Sequence, residues 1–197
     1  LEALGLLGPN LIGVHAVHLD DGDIERLALH GCAVAHCPTS NMKLASGATP
    51  VARLLDKGLN VGLGTDGAAS NNRLDLFREM QQASLLAKLS TGDAAALPAH
   101  RALRMATLDG ARALGLDHEI GSISAGKAAD LCAVHIADPY ALPCFHPVSH
   151  LIHVLGRHDV SDVWVAGQQR LQGGRLLQIT NTELLSTARL WQNRLRQ

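Results

Sequence analysis

Short apolar runs of strand length alternate with amphipathic helical segments in the first half of the chain. The apolar runs lie at 10–17, 32–35 and 59–63. Apolar residues at helical spacing follow each run, in segments that begin near Asp20, at Thr49-Pro50 and near Arg73. The runs are apolar throughout rather than alternating, which is typical of parallel strands covered on both faces. The pattern therefore predicts an α/β fold with consecutive βα units.

The second half of the chain changes from helical to antiparallel β patterning. A helical segment covers 98–116, with Thr107 as the cap of a second short helix. Turn-rich sequence follows, with segments that we predict to be strands at 129–136, 160–165, 168–171 and 175–179. We therefore divide the chain into a βα region at 1–118, a small antiparallel β unit at 119–180, and an amphipathic helix at 181–197 that we expect to pack on the βα region.

Each of the first strands is predicted to end in a chemically versatile residue. These residues are His15, His36 and Asp66, and Asp66 is closely flanked by Gly64 and Gly67. Active sites of (β/α) barrels are built at the carboxyl ends of the strands, which favours a barrel whose upper face carries the site. Doubly wound sheets also bind ligands at strand ends, so periodicity alone leaves both folds open.

A histidine and an aspartate on nearby parallel strands can act together on a bound water. Asp66 could ligate a divalent metal through one oxygen and accept a proton through the other, since a metal lowers the pKa of bound water to roughly 7. His15 could orient that water or stabilise charge developing on the attacked atom. The alternatives are a helix cap or turn role for Asp66 and a hydrogen-bonded core role for His15.

Three further polar residues near these strand ends are candidates for supporting roles. Ser70 lies four residues after Asp66, where its hydroxyl could contact a substrate or could cap the next helix. His36 precedes a polar segment at 39–43 that we predict to be a loop, and Asn41 lies within it. For His36 the main alternative is a structural network that shapes this loop.

Composition limits the classes of function. The chain has 197 residues with 17 basic and 18 acidic side chains, no basic stripe and 3% aromatic residues, which argues against nucleic-acid binding. No apolar run approaches the about 18 residues that a membrane span requires. The four cysteines form no CxxC pair, so we expect reduced thiols and a cytoplasmic location.

Several motifs together resemble the C-terminal half of the amidohydrolase superfamily. The branch that they resemble contains the methylthioadenosine/S-adenosylhomocysteine deaminases and the triazine hydrolases. The resemblance covers nearly the whole chain, with the motifs in the family's order and spacing. They are VHAVHL at 14–19, AHCPTSNMKLASG at 35–47, GTDGAASNN at 64–72, ATLDGARALGL at 106–116, GSISAGKAADL at 121–131 and VWVAG at 163–167.

The resemblance implies a metal-dependent (β/α)₈ TIM barrel flanked by a small β-sandwich. Residues 10–66 then supply strands six to eight, and 119–180 supplies part of the sandwich. His15 matches the strand-six histidine, which positions the hydrolytic water or binds metal. Asp66 matches the strand-eight aspartate, a zinc ligand and proton shuttle, and Ser70 matches a position near the substrate. The implied cofactor is one Zn²⁺ per site, with Fe²⁺ or Mn²⁺ as alternatives.

The chain departs from the family pattern in one important respect. The family's strand-one HxH pair and strand-five HxxE segment, which carry most of the metal ligands and the proton-relaying glutamate, are absent from these 197 residues. The chain also opens at Leu1 in an apparent helix at 1–7, as expected of a piece of a longer protein. We therefore expect it to bind zinc weakly and to be inactive alone, with the N-terminal half of the same protein as its partner.

The expected reaction is deamination of a purine nucleoside such as methylthioadenosine, S-adenosylhomocysteine or adenosine. Hydrolysis of a chloro- or aminotriazine, or a guanine-type deamination, is the alternative within the same chemistry. A catalytically inert fragment or scaffold is the alternative from a different class. The resemblance also implies a homo-oligomer.

Overall fold

The computed structural model describes residues 1–196, and its first sheet has three parallel strands in chain order. The strands are β1 (Ile12–Val14), β2 (Ala33–His36) and β3 (Asn60–Leu63). Ala33 pairs with Ile12 on one side and with Asn60 on the other, so the three strands are in close register. The prediction of parallel βα units is confirmed, and each strand is shorter than the apolar run or, for β2, shifted by one residue.

Helices follow each strand and cover the sheet. They are α1 (Asp21–Leu29), α2 (Pro38–Lys43), α3 (Val51–Asp56), α4 (Leu76–Thr91), α5 (Ala99–Ala106) and α6 (Leu108–Ala113). The loop predicted at 39–43 is wrong, because Pro38 occupies the first turn of α2, where a missing N–H costs nothing. The opening helix predicted at 1–7 is reduced to a short 3₁₀ turn at Glu2–Leu4.

The main core lies on one face of the parallel sheet. Val34 and Val61 are paired residues of β2 and β3, and both are fully buried against a cluster that includes Ile24 of α1 and Leu54 of α3. Successive side chains of a strand point to opposite faces. A Cβ at Gly62 would therefore project from the other face, where α6 approaches the Gly62 backbone closely. Both faces of β3 are thus covered, as the apolar runs predicted.

A separate antiparallel sheet follows the βα region. Its strands are β4 (Leu131–Val134), β5 (Val160–Val165), β6 (Gln168–Gln172) and β7 (Arg175–Leu176), hydrogen-bonded in chain order, and the helix α7 (Pro147–His153) lies between β4 and β5 in sequence. Ala166 and Gly167 form the two-residue turn between β5 and β6, with φ of 49° and 76°. Positive φ at both turn positions matches the right-handed twist of the flanking strands. The chain thus contains antiparallel strands in its second half, as the sequence pattern indicated, and its parallel βα units confirm the α/β class.

The last helix, α8, spans Asn181–Arg194 and begins at a Thr180 side-chain cap. None of its residues is buried, and Leu184, Leu185 and Trp191 are 40–58% exposed. Residues 1–196 therefore leave these side chains largely exposed, and the packing of 181–197 on a barrel stays a prediction, as does the division of the chain at 118 and 180. Gln197 lies outside the described residues. Within the described chain, no helix is both long enough and apolar enough to cross a membrane.

Candidate functional site

His15 and Asp66 lie at the carboxyl ends of β1 and β3, and both have unusual backbone conformations. His15 directly follows β1 with a φ of 68°, and Asp66 comes three residues after β3 with a φ of 62°. Few residues other than glycine adopt this left-handed region, and each such residue costs on the order of 1 kcal/mol. Contacts from the surrounding structure must therefore hold both residues in place.

The structure brings the two side chains to face each other. His15 Nε2 lies 3.8 Å from Asp66 Oδ2, and the two side chains are 38% and 31% exposed. The pair is therefore open to a small molecule at the edge of the parallel sheet. Parallel strands place their carboxyl ends at one edge, so the juxtaposition follows from the strand order.

Three hydrogen bonds hold the Asp66 carboxylate. Ser40 Oγ and Ser70 Oγ donate to Oδ2 at 2.7 and 2.6 Å, and the backbone N–H of Gly67 donates to Oδ1 at 2.7 Å. The bond from Ser70, followed by those from Ser40 and Gly67, lowers the pKa of Asp66 to about 2. The carboxylate is thus charged at neutral pH. It caps no helix, because the N-cap of α4 is Asp75.

The His15 ring is oriented by Asn41. Its Nδ1 lies 2.8 Å from Asn41 Oδ1, and an amide oxygen only accepts hydrogen bonds. The pattern assigns the proton to Nδ1, so the neutral ring presents the Nε2 lone pair towards Asp66. Two electron-pair donors thus face each other across 3.8 Å. A cation or a water placed between them would interact with the lone pairs of both atoms, so this arrangement fits a metal ion.

Thr49 links His15 to the buried residues behind it. Its hydroxyl donates to the His15 carbonyl at 2.6 Å and accepts from Asn41 Nδ2 and from His36 Nδ1 at 3.1 and 3.0 Å. His36 is 1% exposed, and burial, followed by electrostatic repulsion from His15 when that ring is protonated, lowers its pKa to about 4. Asn41 therefore contacts His15 directly, whereas His36 reaches it only through Thr49. The contacts of His36 are those of a network that shapes this part of the structure.

Sequence reasoning missed two polar residues that contact the pair directly, Ser40 and Thr49. Ser40 belongs to the segment predicted as a loop, and only the α2 helix directs its hydroxyl to Asp66. The one sequence signal was the run of small polar residues around the candidate Asn41. The neighbouring Cys37 takes no such part, since burial, followed by the charges of Asp66 and Glu79, raises the pKa of its thiol to about 11.

His15 and Asp66 alone are too few to form a metal site. Among residues 1–196, no group of three or more histidine, cysteine, aspartate or glutamate side chains could hold a metal ion. Catalytic zinc sites use about three protein ligands and leave one position open. His15 and Asp66 could contribute one or two of these ligands, which is fewer than such a site uses.

Most of the chain is similar to one known protein family. The model of the amidohydrolase family matches residues 1–170. A 5-methylthioadenosine/S-adenosylhomocysteine deaminase of Teredinibacter turnerae is 47% identical over 195 residues, which are 99% of this chain and 44% of that protein. The chain thus spans less than half of the length of the curated relatives it matches.

Two solved structures are also similar to the chain over nearly its whole length. An adenosine deaminase from Xanthomonas campestris with bound zinc superposes with a TM-score of 0.97 at 46% identity, covering 99% of this chain and 44% of that one. An atrazine chlorohydrolase from Arthrobacter aurescens complexed with zinc superposes with a TM-score of 0.90 at 28% identity, covering 96% of this chain and 42% of that one. Because the family model matches most of its length, and because these relatives are similar to it, the chain belongs to the amidohydrolase family.

Proposed function

We propose that this chain is the C-terminal half of a zinc-dependent hydrolase that deaminates a purine nucleoside. Methylthioadenosine, S-adenosylhomocysteine and adenosine are the proposed substrates. The observation that carries the proposal is the Asp66 carboxylate, held charged by three hydrogen bonds and facing His15 across 3.8 Å at the end of the parallel strands. The choice of substrate and metal is supported by the names of two similar proteins. One is a methylthioadenosine/S-adenosylhomocysteine deaminase, and the other is an adenosine deaminase with bound zinc.

Asp66 and His15 would hold part of the zinc site. When bound there, zinc would make hydroxide available from water near neutral pH. Asp66 is suited to accept a proton from the attacking water, because its carboxylate is charged and open to solvent. His15 is suited to orient the same water or to stabilise charge that develops on the attacked ring, because Asn41 fixes the orientation of its imidazole.

Ser70 is proposed to hold Asp66 and to contact the substrate. Its hydroxyl proton is directed to the Asp66 carboxylate at 2.6 Å. A hydroxyl oxygen carries two acceptor lone pairs, so Ser70 can accept a hydrogen bond from a substrate while it donates to Asp66.

Catalysis is proposed to require the N-terminal half of the same protein. Two facing donors are too few for a catalytic zinc site, and the chain covers 44% of the length of the similar deaminase. Zinc and methylthioadenosine added to residues 1–197 alone should therefore release no ammonia above background. Turnover at ordinary enzyme rates would overturn this part of the proposal.

The decisive experiment uses a protein that carries both halves. Ammonia release is measured with methylthioadenosine, S-adenosylhomocysteine, adenosine, guanine and an aminotriazine. We expect the purine nucleosides to be preferred. A preference for the triazine, which the likeness to atrazine chlorohydrolase makes the second candidate, would reassign the substrate but not the site.

Asp66→Asn tests the role of the carboxylate in that protein. The substitution keeps the shape of the side chain and removes its charge, so turnover should fall by at least about 100-fold. Asp56→Asn, at the exposed end of α3, is the matched control and should leave turnover unchanged. If Asp66→Asn leaves metal content and activity unaffected, the inert scaffold is the correct alternative.

Two further properties belong to the proposal. The free state of all four cysteines supports a reducing, cytoplasmic location. A homo-oligomer is proposed from the sequence resemblance, and light scattering of the complete protein would test it: a monomer at assay concentration would refute it.

A further inference from the structure

Glu79 is a fully buried carboxylate on α4 with 0% exposure. Each of its oxygens accepts one hydrogen bond: Oε2 from the backbone N–H of Thr39 at 3.1 Å, and Oε1 from the Asn71 side-chain amide at 2.7 Å. No lysine, arginine or histidine of residues 1–196 forms an ion pair with it. Burying a carboxylate is unfavourable unless its oxygens are hydrogen-bonded. Its position is therefore determined by these two donors.

The first hydrogen bond joins Glu79 to the segment that carries Ser40. Thr39 directly precedes Ser40, whose hydroxyl donates to Asp66 Oδ2 at 2.7 Å. A displacement of the Thr39 N–H at the start of α2 would move Ser40 with it. Glu79 thus fixes one of the two serine hydroxyls through a single peptide unit.

The second hydrogen bond joins Glu79 to the segment that carries Asp66 itself. Asn71 is 1% exposed, and its amide donates one hydrogen to Glu79 and the other to the carbonyl of Thr65 at 2.8 Å. Thr65 directly precedes Asp66, and Ser70 directly precedes Asn71. The same amide therefore braces the loop on both sides of the carboxylate.

We propose that Glu79 is a positioning residue for Asp66. It ties the start of α2 to the loop at 65–72 and so keeps the hydroxyls of Ser40 and Ser70 on the carboxylate. A carboxylate is required because two N–H donors approach from different segments and each needs its own acceptor oxygen. The consequence for catalysis rests on the proposed function, whereas the consequence for the geometry of Asp66 does not.

Glu79→Gln is the informative substitution, because it keeps the volume and leaves only one acceptor oxygen. The glutamine amide nitrogen must then face one of the two N–H donors. Ser84→Ala is the matched control, since Ser84 is also fully buried on α4 and its hydroxyl donates to the carbonyl of Leu97 at 2.9 Å, away from this network. Both variants lose a buried hydrogen bond on the same helix.

The first test measures the geometry in the chain of 197 residues. Nuclear magnetic resonance follows the amide hydrogen exchange of Gly67, which donates to Asp66 Oδ1, and the Asp66 carboxyl carbon shift at neutral pH. In Glu79→Gln, Gly67 should exchange faster and the Asp66 signal should shift, while Ser84→Ala should match the wild type at both positions. If Glu79→Gln changes stability but leaves both signals unchanged, Glu79 is only a structural residue and the proposal fails.

The second test uses the protein that carries both halves. Glu79→Gln should weaken zinc binding or reduce kcat by about 10- to 100-fold, as is usual for residues that orient a metal ligand. KM should change much less than kcat, because an interaction lost only in the transition state lowers kcat and kcat/KM together. Equal zinc affinity and kcat for Glu79→Gln and Ser84→Ala would refute a positioning role. A wild type that releases no ammonia from any compound would instead refute the proposed function, and the resonance test would still decide the role of Glu79.

Discussion

His36 gives the sharpest test of how this site is built, because its imidazole is buried in one protonation state. The Thr49 hydroxyl donates its proton to the His15 carbonyl, so it can only accept from His36 Nδ1. His36 Nε2 then carries the lone pair, and no described residue donates to it. Protonation would place a charge in a site that is 1% exposed. Burial, and next the nearby His15, therefore lower the pKa of His36 from 6.5 to about 4.

The lowered pKa makes the stability of the chain depend on pH. The unfolded chain binds a proton at His36 below pH 6.5, whereas the folded chain resists it down to about 4. The contribution of the neutral His36 to the free energy of unfolding is therefore complete above pH 6.5 and is lost as the pH falls towards 4. At about 1.4 kcal/mol per pH unit, the difference between 6.5 and about 4 corresponds to a total of about 3 kcal/mol.

His36→Asn isolates this contribution. The asparagine amide nitrogen lies near the position of Nδ1 and can still donate to Thr49, but it does not titrate. Urea unfolding followed by circular dichroism gives the free energy of unfolding at about pH 7.5 and about pH 5. Between these values the wild type should lose about 2 kcal/mol more than the variant, whatever the cost of the substitution at neutral pH.

Parallel pH profiles for the wild type and His36→Asn would refute the reasoning. They would mean that the folded chain protonates His36 as readily as the unfolded chain does. His118→Asn is the control, because the His118 side chain is 70% exposed and its imidazole is solvated in both states. Its profile should follow that of the wild type.

Three further predictions concern the site and the sheet. Ser40→Ala removes a hydrogen-bond donor to Asp66 and should raise the pKa of Asp66 above about 2. The variant should therefore lose less folding stability than the wild type as the pH falls from 3.8 towards 2. An unchanged carbon-13 titration of the Asp66 carboxyl would contradict this. Gly62→Ala places a Cβ 3.0 Å from the Gly110 Cα and should cost about 1–3 kcal/mol in urea unfolding, whereas wild-type stability would show that α6 moves away freely. Cys37, with a thiol pKa of about 11 and 2% exposure, should resist iodoacetamide in the native chain, and rapid labelling seen by mass spectrometry would contradict its burial.

The local pattern of the sequence was sufficient to predict the strands and to place His15 and Asp66 at one edge of the parallel sheet. Uniformly apolar runs predicted three parallel strands, and β5 begins and ends at the residues that the pattern indicated. His15 and Asp66 were recognisable because parallel strands share one carboxyl edge, so residues that follow such strands must meet there. This inference needs only the order of the strands and the period of their side chains.

Tertiary structure alone decided which side chains complete the site. Ser40 reaches Asp66 across 26 residues, Thr49 reaches His15 across 34, and Glu79 reaches Thr39 across 40. Periodicity reports which face of an element is apolar, but it carries no information about which polar atom will lie within hydrogen-bond distance of another segment. The polar stretch after β2 therefore looked like a loop, whereas it is the helix α2, from which Ser40 and Asn41 form hydrogen bonds to Asp66 and Thr49.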